Sequence, residues 1–269
     1  MFTLGVDANT PDSQSYLLIS PDDQLLVHKD NSVYLFTFEE VKRVQVNVVQ
    51  HYPLNSATTI LLCIPPLHIP SEWCWVTLRQ LLGMVAEQAF QLAGRAFQLM
   101  GWFKNHQYCG RCGGRTELCH NEPRLICHHC HLDCYPRISP CVIGLIVKGD
   151  SCLLARGERH PEGLYSTLAG FIEVGENAEQ AFSREVKEEV GLDVSDIRYL
   201  HSQPWPFPGQ LMLGFEAKFR AGDICVDNDE IIDAQWFHYE NLPRIPLEAT
   251  ISGRIIRQFV QRKVAEKSN

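Results

Sequence analysis

The sequence predicts an α+β protein built from three consecutive units. Three observations carry that expectation. Short β-rich runs followed by a long helical period fill residues 1–105, a stretch dense in Cys and His fills residues 106–136, and strand and helix patterns alternate over residues 137–269. With 269 residues, 45% of them hydrophobic, the chain has apolar material for a sizeable core. The formal charge of −8 and the pI near 5.8 argue against broad, charge-driven binding to nucleic acid or to anionic membrane. No apolar run reaches the roughly eighteen residues that a membrane span needs. The start, "MFTLGVDANT", lacks a basic region followed by an apolar one, so no signal peptide is expected. Eleven cysteines in such a chain read as metal ligands and buried thiols before disulfides, and the expected location is cytoplasmic.

The first unit is expected to be a small α+β domain. "YLLIS", "QLLVH" and "VYLFTF" are β-rich runs separated by the turn signals "PDD" and "KDN". A further apolar run, "TTILLCIPPL", stops at a Pro-Pro pair. From Thr77 to His106 apolar residues recur at helical spacing, which predicts one or two helices. Gly83 and Gly94 weaken that stretch without necessarily breaking it.

The second unit is too short to hold itself together by a core. It carries Cys109 and Cys112 as one Cys-x2-Cys pair and Cys127 and Cys130 as another. Each pair suits a tight turn that aims two thiolates at one point, and four such sulfurs suit tetrahedral Zn2+. Gly110 and Gly113 are expected to free the backbone for the first turn. A closed four-sulfur site is structural, so the unit reads as a zinc ribbon. Arg111, Arg115 and Arg124 within it and Arg137 just after it supply local positive charge, which suits contact with nucleic acid and equally an ordinary surface.

The third unit opens with two strands, residues 141–147 and 151–156, joined by "KGD". A loop bracketed by Gly170 and Gly175 follows, and then an acidic helix over residues 177–190. At about 100° per residue, Glu185, Glu188 and Glu189 fall on one face, while Val186 and Val190 turn toward a core. Clustered carboxylates repel one another and raise one another's pKa unless a cation is present. Mg2+ or Mn2+ suits carboxylate oxygens, and a solvated acidic face is the plain alternative. "IRYLHSQ", "LMLGFEAKF" and "AQWFHY" read as strands and "ISGRIIRQFVQRKV" as a final helix. Between the first two of these strands, "SQPWPFP" sets three prolines within five positions, which holds the chain extended and fixes the faces of Trp205 and Phe207. Such faces suit stacking on a base or a nicotinamide ring.

Gly170, Glu176, Arg184, Glu185, Val186, Glu188, Glu189, Gly191 and Leu192 match every defined position of the Nudix box, and on them the chain resembles the Nudix hydrolases. The resemblance implies an α/β/α sandwich for the third unit and hydrolysis of a nucleoside diphosphate linked to another moiety. It implies metal ligation by Glu185, Glu189 and the carbonyl of Ala169, with Glu189 as the pivotal carboxylate. The four-cysteine ribbon, the "YP" after it, "LAGF" and "SQPWPFP", in that order, resemble the NADH pyrophosphatase branch, also described as NAD-cap RNA hydrolases. That branch implies NAD(H), or RNA capped by NAD, as substrate, with nicotinamide mononucleotide and AMP, or a 5′-monophosphate RNA, as products. It also implies a homodimer. By the same resemblance Glu230 is a further metal ligand, and Arg79, Tyr135, Ser252 and the loop Gln203, Pro204, Trp205, Pro206, Phe207, Pro208, Gly209 and Gln210 contact substrate. Phe171, which adjoins the metal loop, is assigned here as a ring-stacking partner. Arg184 is expected to orient a glutamate through a bidentate pair. The competing readings are a Nudix hydrolase of ADP-ribose or dinucleoside polyphosphates, and a zinc-ribbon regulator that binds nucleic acid. "SQPWPFP" argues against the first, and the intact set of box glutamates against the second.

Overall fold

A computed structural model describes residues 14–29, 35–119, 122–158, 160–227 and 229–268. The chain divides into two compact units, residues 1–137 and 138–269.

The first unit holds a five-stranded sheet with β1 (Ser15–Ile19), β2 (Gln24–His28), β3 (Asn47–Pro53), β4 (Thr58–Ile64) and β5 (Trp73–Thr77), ordered β3-β4-β1-β2-β5. β1 and β4 run parallel and the other pairs are antiparallel. Along β1 the side chains alternate, as the strand period requires. Tyr16 and Leu18 join Val41 and Val44 of helix α1 (Phe38–Val44) in one core. Leu17 and Ile19, equally buried, face the other way.

"VYLFTF" is not a strand where it is described. Phe36 makes a single bridge to Tyr16, and Thr37 caps α1 through a reciprocal bond with Glu40. Val33, Tyr34 and part of the "KDN" turn lie outside the described residues, as does "MFTLGVDANT". The long helical stretch divides into α2 (Leu78–Leu81) and α3 (Glu87–Asn105), interrupted at Gly83 with φ 76°. Gly94 is buried inside α3 without breaking it. The same unit ends in a small sheet of β6 (Thr116–Leu118), β7 (Leu125–Cys127) and β8 (Asp133–Cys134).

The second unit is a mixed sheet between two helices, α4 (Ala178–Val190) and α5 (Ile251–Lys267). Its strands are β9 (Ser139–Lys148), β10 (Ser151–Gly157), β11 (Leu168–Phe171), β12 (Asp193–Trp205), β13 (Gln210–Ala221) and β14 (Ile231–His238). The order is β12-β13-β9-β10-β14. β9 alternates through both cores. Val142 and Ile146 pack with Phe182, Val186 and Val190 of α4, while Cys141, Ile143 and Leu145 pack with Ile255, Ile256 and Phe259 of α5. Each fully buried apolar side chain of this kind contributes roughly 1.5–3 kcal/mol. Gly144 lies where a Cβ would meet the Phe182 ring at 2.4 Å, so α4 can sit close on β9.

One feature of the register positions the site. The edge of β9 away from β13 is shared, with Ile146–Lys148 pairing to β10 and Cys141–Gly144 pairing to β11. β10 and β11 diverge there, and β11 runs out into the glycine loop and α4.

Candidate active site and cysteine cluster

α4 starts where the sequence says it should. Asn177 accepts the Gln180 amide at 2.8 Å and Gln180 accepts the Asn177 amide at 3.0 Å, a reciprocal cap. The helix ends at Gly191, whose φ of 75° suits glycine. Val186 and Val190 are buried, Glu188 is exposed, and Glu173 and Glu179 lie on the surface.

Arg184 ties the loop, the strand and the helix together. It donates Nε to Glu176 Oε1 at 2.7 Å and Nη2 to Glu176 Oε2 at 3.0 Å, the bidentate geometry expected of it. Nη1 reaches both Glu185 and Glu188 at 2.9 Å, and Nη2 also reaches the Phe171 carbonyl at 2.9 Å. Glu176 in turn accepts the Glu173 amide at 3.0 Å, closing the loop. Arg184 serves Glu176, Glu185 and Glu188, and it holds Glu176 below the usual carboxylate range.

Glu189 lies outside that arrangement. It is 5% exposed, and among the described residues its buried Oε2 has no hydrogen-bond partner. Burial first, and then the charges of Glu185, Glu230, Asp227 and Glu188, push its carboxyl up to about 8. Burial also raises Glu185, against the pull of Arg184. A buried orphan oxygen among acidic neighbours is a donor set that suits a hard divalent cation. The carboxylates are not gathered as tightly as the thiols described below.

Asp227 was missed by the sequence reading. Its carboxylate accepts the amides of Asp229, Glu230 and Ile231 at 3.3, 3.3 and 2.9 Å, which fixes the turn that carries Glu230. The acidic run "DNDE" was the available signal, since an Asp that bonds amides just ahead of it makes such turns.

Gly170 has a sharper role than loop flexibility. A Cβ there would lie 1.9 Å from Glu185 Cδ, so the glycine lets the carboxylate lie against β11. Ala169, beside it, pairs with Ile143 of β9, and Phe171 is 53% exposed at the strand's end.

The segment Gln203–Gln210 is a hairpin tip and not a free loop. Gln203, Pro204 and Trp205 belong to β12 and pair with Met212, Leu211 and Gln210 of β13, leaving Pro206, Phe207, Pro208 and Gly209 as the turn. Proline is tolerated here because β12 is an edge strand, so a missing N–H need not break a ladder. Pro206 is buried, Trp205 packs partly into the α5 core, and its ring meets Phe207 edge-on at 5.1 Å. The Gln203 side chain donates to the Ala249 carbonyl at 2.8 Å and accepts the Ile251 amide at 2.7 Å, so it fastens the hairpin to the start of α5. Ser252 is buried and bonded to Ser166 Oγ at 2.8 Å and Thr167 Oγ1 at 3.0 Å. Arg79, on α2, and Tyr135 belong to the first unit.

Register brings the hairpin and the box together. Met212 pairs with Cys141 and Cys141 with Phe171, so β13, β9 and β11 form one row. At about 4.8 Å per strand pair, the hairpin strand lies roughly 10 Å from the end of β11.

In the first unit, Cys109, Cys112, Cys127 and Cys130 place their sulfurs within 4.8 Å of one another. Among the described residues no other group of three or more Cys, His, Asp or Glu converges so closely. None of the cysteines is in a disulfide. The two turns are built alike. The Gly113 amide donates to the Cys109 carbonyl at 2.9 Å and the His131 amide to the Cys127 carbonyl at 2.8 Å. Gly113 has φ 71° and His131 φ 56°. Gly110 has no positive φ, which corrects the expectation that it shapes the first turn. Amides of Arg111 and Cys112 hold the Cys109 thiol down to about 6. Cys119 instead accepts from Arg124 at 3.7 Å.

Among the described residues no helix is long and apolar enough to cross a membrane. The NUDIX domain family matches residues 136–259. An NAD-capped RNA hydrolase NudC of Stutzerimonas stutzeri is 38% identical over 87% of this chain and 86% of its own length. One from Erwinia tasmaniensis is 45% identical over 72% of this chain and 74% of its own. A solved NUDIX hydrolase from Nitrosomonas europaea superposes with a TM-score of 0.51 at 25% identity, covering 58% of this chain and 92% of that one. With the box geometry, the four-cysteine cluster and relatives spanning most of its length, the chain belongs to the Nudix hydrolases, in the family of the NAD-capped RNA hydrolase NudC.

Proposed function

We propose that this chain hydrolyses the pyrophosphate of NAD(H) to nicotinamide mononucleotide and AMP, and removes the NAD cap from RNA 5′ ends to leave a 5′ monophosphate. The observation that carries the reading is the shared row of β13, β9 and β11. It sets the Trp205–Phe207 hairpin and the box carboxylates at one end of one sheet. A ring can be held at the hairpin while the diphosphate lies toward the glutamates. The NudC relatives are named for the capped-RNA activity.

Glu185, Glu189, Glu230 and the Ala169 carbonyl are proposed to hold Mg2+ or Mn2+. Bound there, such an ion would offset the diphosphate charge and lower the pKa of a water. Glu189, the buried carboxylate with a free oxygen, is proposed to hold or accept the proton of the attacking water. Arg184 positions Glu185 and leaves Glu189 alone. Phe171 is proposed as the stacking partner at the end of β11. The four cysteines are proposed to hold a structural Zn2+. A homodimer is proposed from the family resemblance, and a cytoplasmic location from the eleven cysteines, none of them in a disulfide.

The test is kcat/KM for NADH, NAD, ADP-ribose and NAD-capped RNA with Mn2+. NADH or capped RNA should lead. Preference for ADP-ribose or a dinucleoside polyphosphate would replace this reading with the general Nudix one.

A further inference from the structure

The end of α3 and the cysteine ribbon enclose a cavity of about 580 Å3, lined wholly by residues of the first unit. Tyr108, Arg111, Asp133, Tyr135 and Arg137 line it. Tyr108 is 67% exposed and Tyr135 48%. Among the described residues, neither Arg111 nor Arg137 has a carboxylate within ion-pair distance. Asp133, the one acid in the wall, is occupied by Arg124 at 3.2 Å. So on a chain of net charge −8, this concavity is lined by two arginines that no described carboxylate engages and by two exposed tyrosines.

We propose that this cavity is a binding groove for single-stranded RNA, taking an unpaired stretch of a capped transcript. That the ligand is RNA rests on the activity proposed above. Arginines bond the phosphates, and exposed rings accept bases of any identity. A duplex keeps its bases stacked on one another, so it cannot use the rings. Cys109 lines the same cavity, so the knuckle that gathers the thiols also sets where Tyr108 and Arg111 stand.

The experiment uses the full chain and a short, uncapped, 5′-monophosphorylated single-stranded RNA, with affinity read by fluorescence anisotropy across a salt series. Tyr108→Ala should weaken binding about tenfold, and Tyr108→Phe should restore it, because stacking needs the ring and not the hydroxyl. Arg111→Gln with Arg137→Gln should lower the slope of log affinity against log salt by roughly 1.4, and the paired Lys variants should keep it. Turnover of NADH and zinc content should be unchanged in all of these, which separates lost RNA contact from lost structure. Unchanged RNA affinity in Tyr108→Ala and in the double Gln variant would overturn the proposal, as would duplex RNA binding equally well. A wild-type chain that hydrolyses NADH but binds no RNA would also overturn it. A wild-type chain that hydrolyses neither NADH nor capped RNA would strike the proposed activity instead.

Discussion

At Gly170 a single missing methyl group decides where a carboxylate lies. A Cβ would overlap the Glu185 carboxyl carbon at 1.9 Å, and the neighbour is a side chain already held by Arg184. Gly170→Ala should therefore leave the sheet folded but displace Glu185. Misplacement by about 1 Å at a reacting centre costs roughly a hundredfold, so kcat should fall at least that far while the far-ultraviolet circular dichroism is unchanged. Glu189 offers a second test. Its carboxyl binds its proton more tightly in the folded chain, with pKa about 8, than in the unfolded one, where it is near 4.5. Between those values the folded state holds the extra proton. Metal-free protein should accordingly lose stability as pH rises from about 4.5 to 8, with no further loss from this group above that. Glu189→Gln should flatten that slope in chemical denaturation, and should lower activity by orders of magnitude at every pH. A variant with near-normal turnover of NADH would remove Glu189 from the chemistry.

Whole elements explain why the box is spaced as it is. Arg184 stands one helical turn before Glu188, and from there its guanidinium spans Glu176 in the loop, the Phe171 carbonyl on β11 and two helical glutamates. The glycine loop is thus held by charge-assisted bonds at both ends. The cysteine ribbon shows the same economy in its twin turns. Both need a left-handed residue four positions after the first cysteine, and one turn uses Gly113 where the other uses His131. A left-handed L-residue costs about 1–2 kcal/mol. Gly113→Ala should cost the ribbon about 1 kcal/mol, there being open space around it and only the backbone to strain. His131→Gly should stabilise it by less than that, because glycine also frees the unfolded chain. Zinc retention against a competing chelator, with thermal melting, would measure both. Equal losses in the two variants would contradict the symmetry of the turns.

For the molecule as a whole, sequence and structure divide the work in a consistent way. Periodicity made α3, α4, α5, β9 and β10 legible, because each buries a repeating face. Cysteine spacing made the metal cluster legible, because two local turns are enough to gather the thiols. Helix α1 escaped that reading, since the β-rich letters of "VYLFTF" lead into a cap at Thr37. Spacing also placed Glu185 and Glu189 on one face, since both ride on a single helix. It could not reveal that Glu189 keeps an unpaired buried oxygen while Arg184 engages its neighbours, because that depends on what packs around α4. The turn at Asp227 was signalled by "DNDE", but its effect on Glu189 was not, because that arises across a loop contributed from far along the chain. "SQPWPFP" announced rigid aromatics by its prolines, but only strand register put them in the row that ends at Phe171. By itself, then, the sequence determined the longer periodic elements, the thiol cluster and the acidic helix face, all of which are local consequences of residue order. The tertiary structure alone decided which carboxylate is left without a partner and which aromatic hairpin faces the same end of the sheet, because burial and cross-strand register are properties of the packed chain.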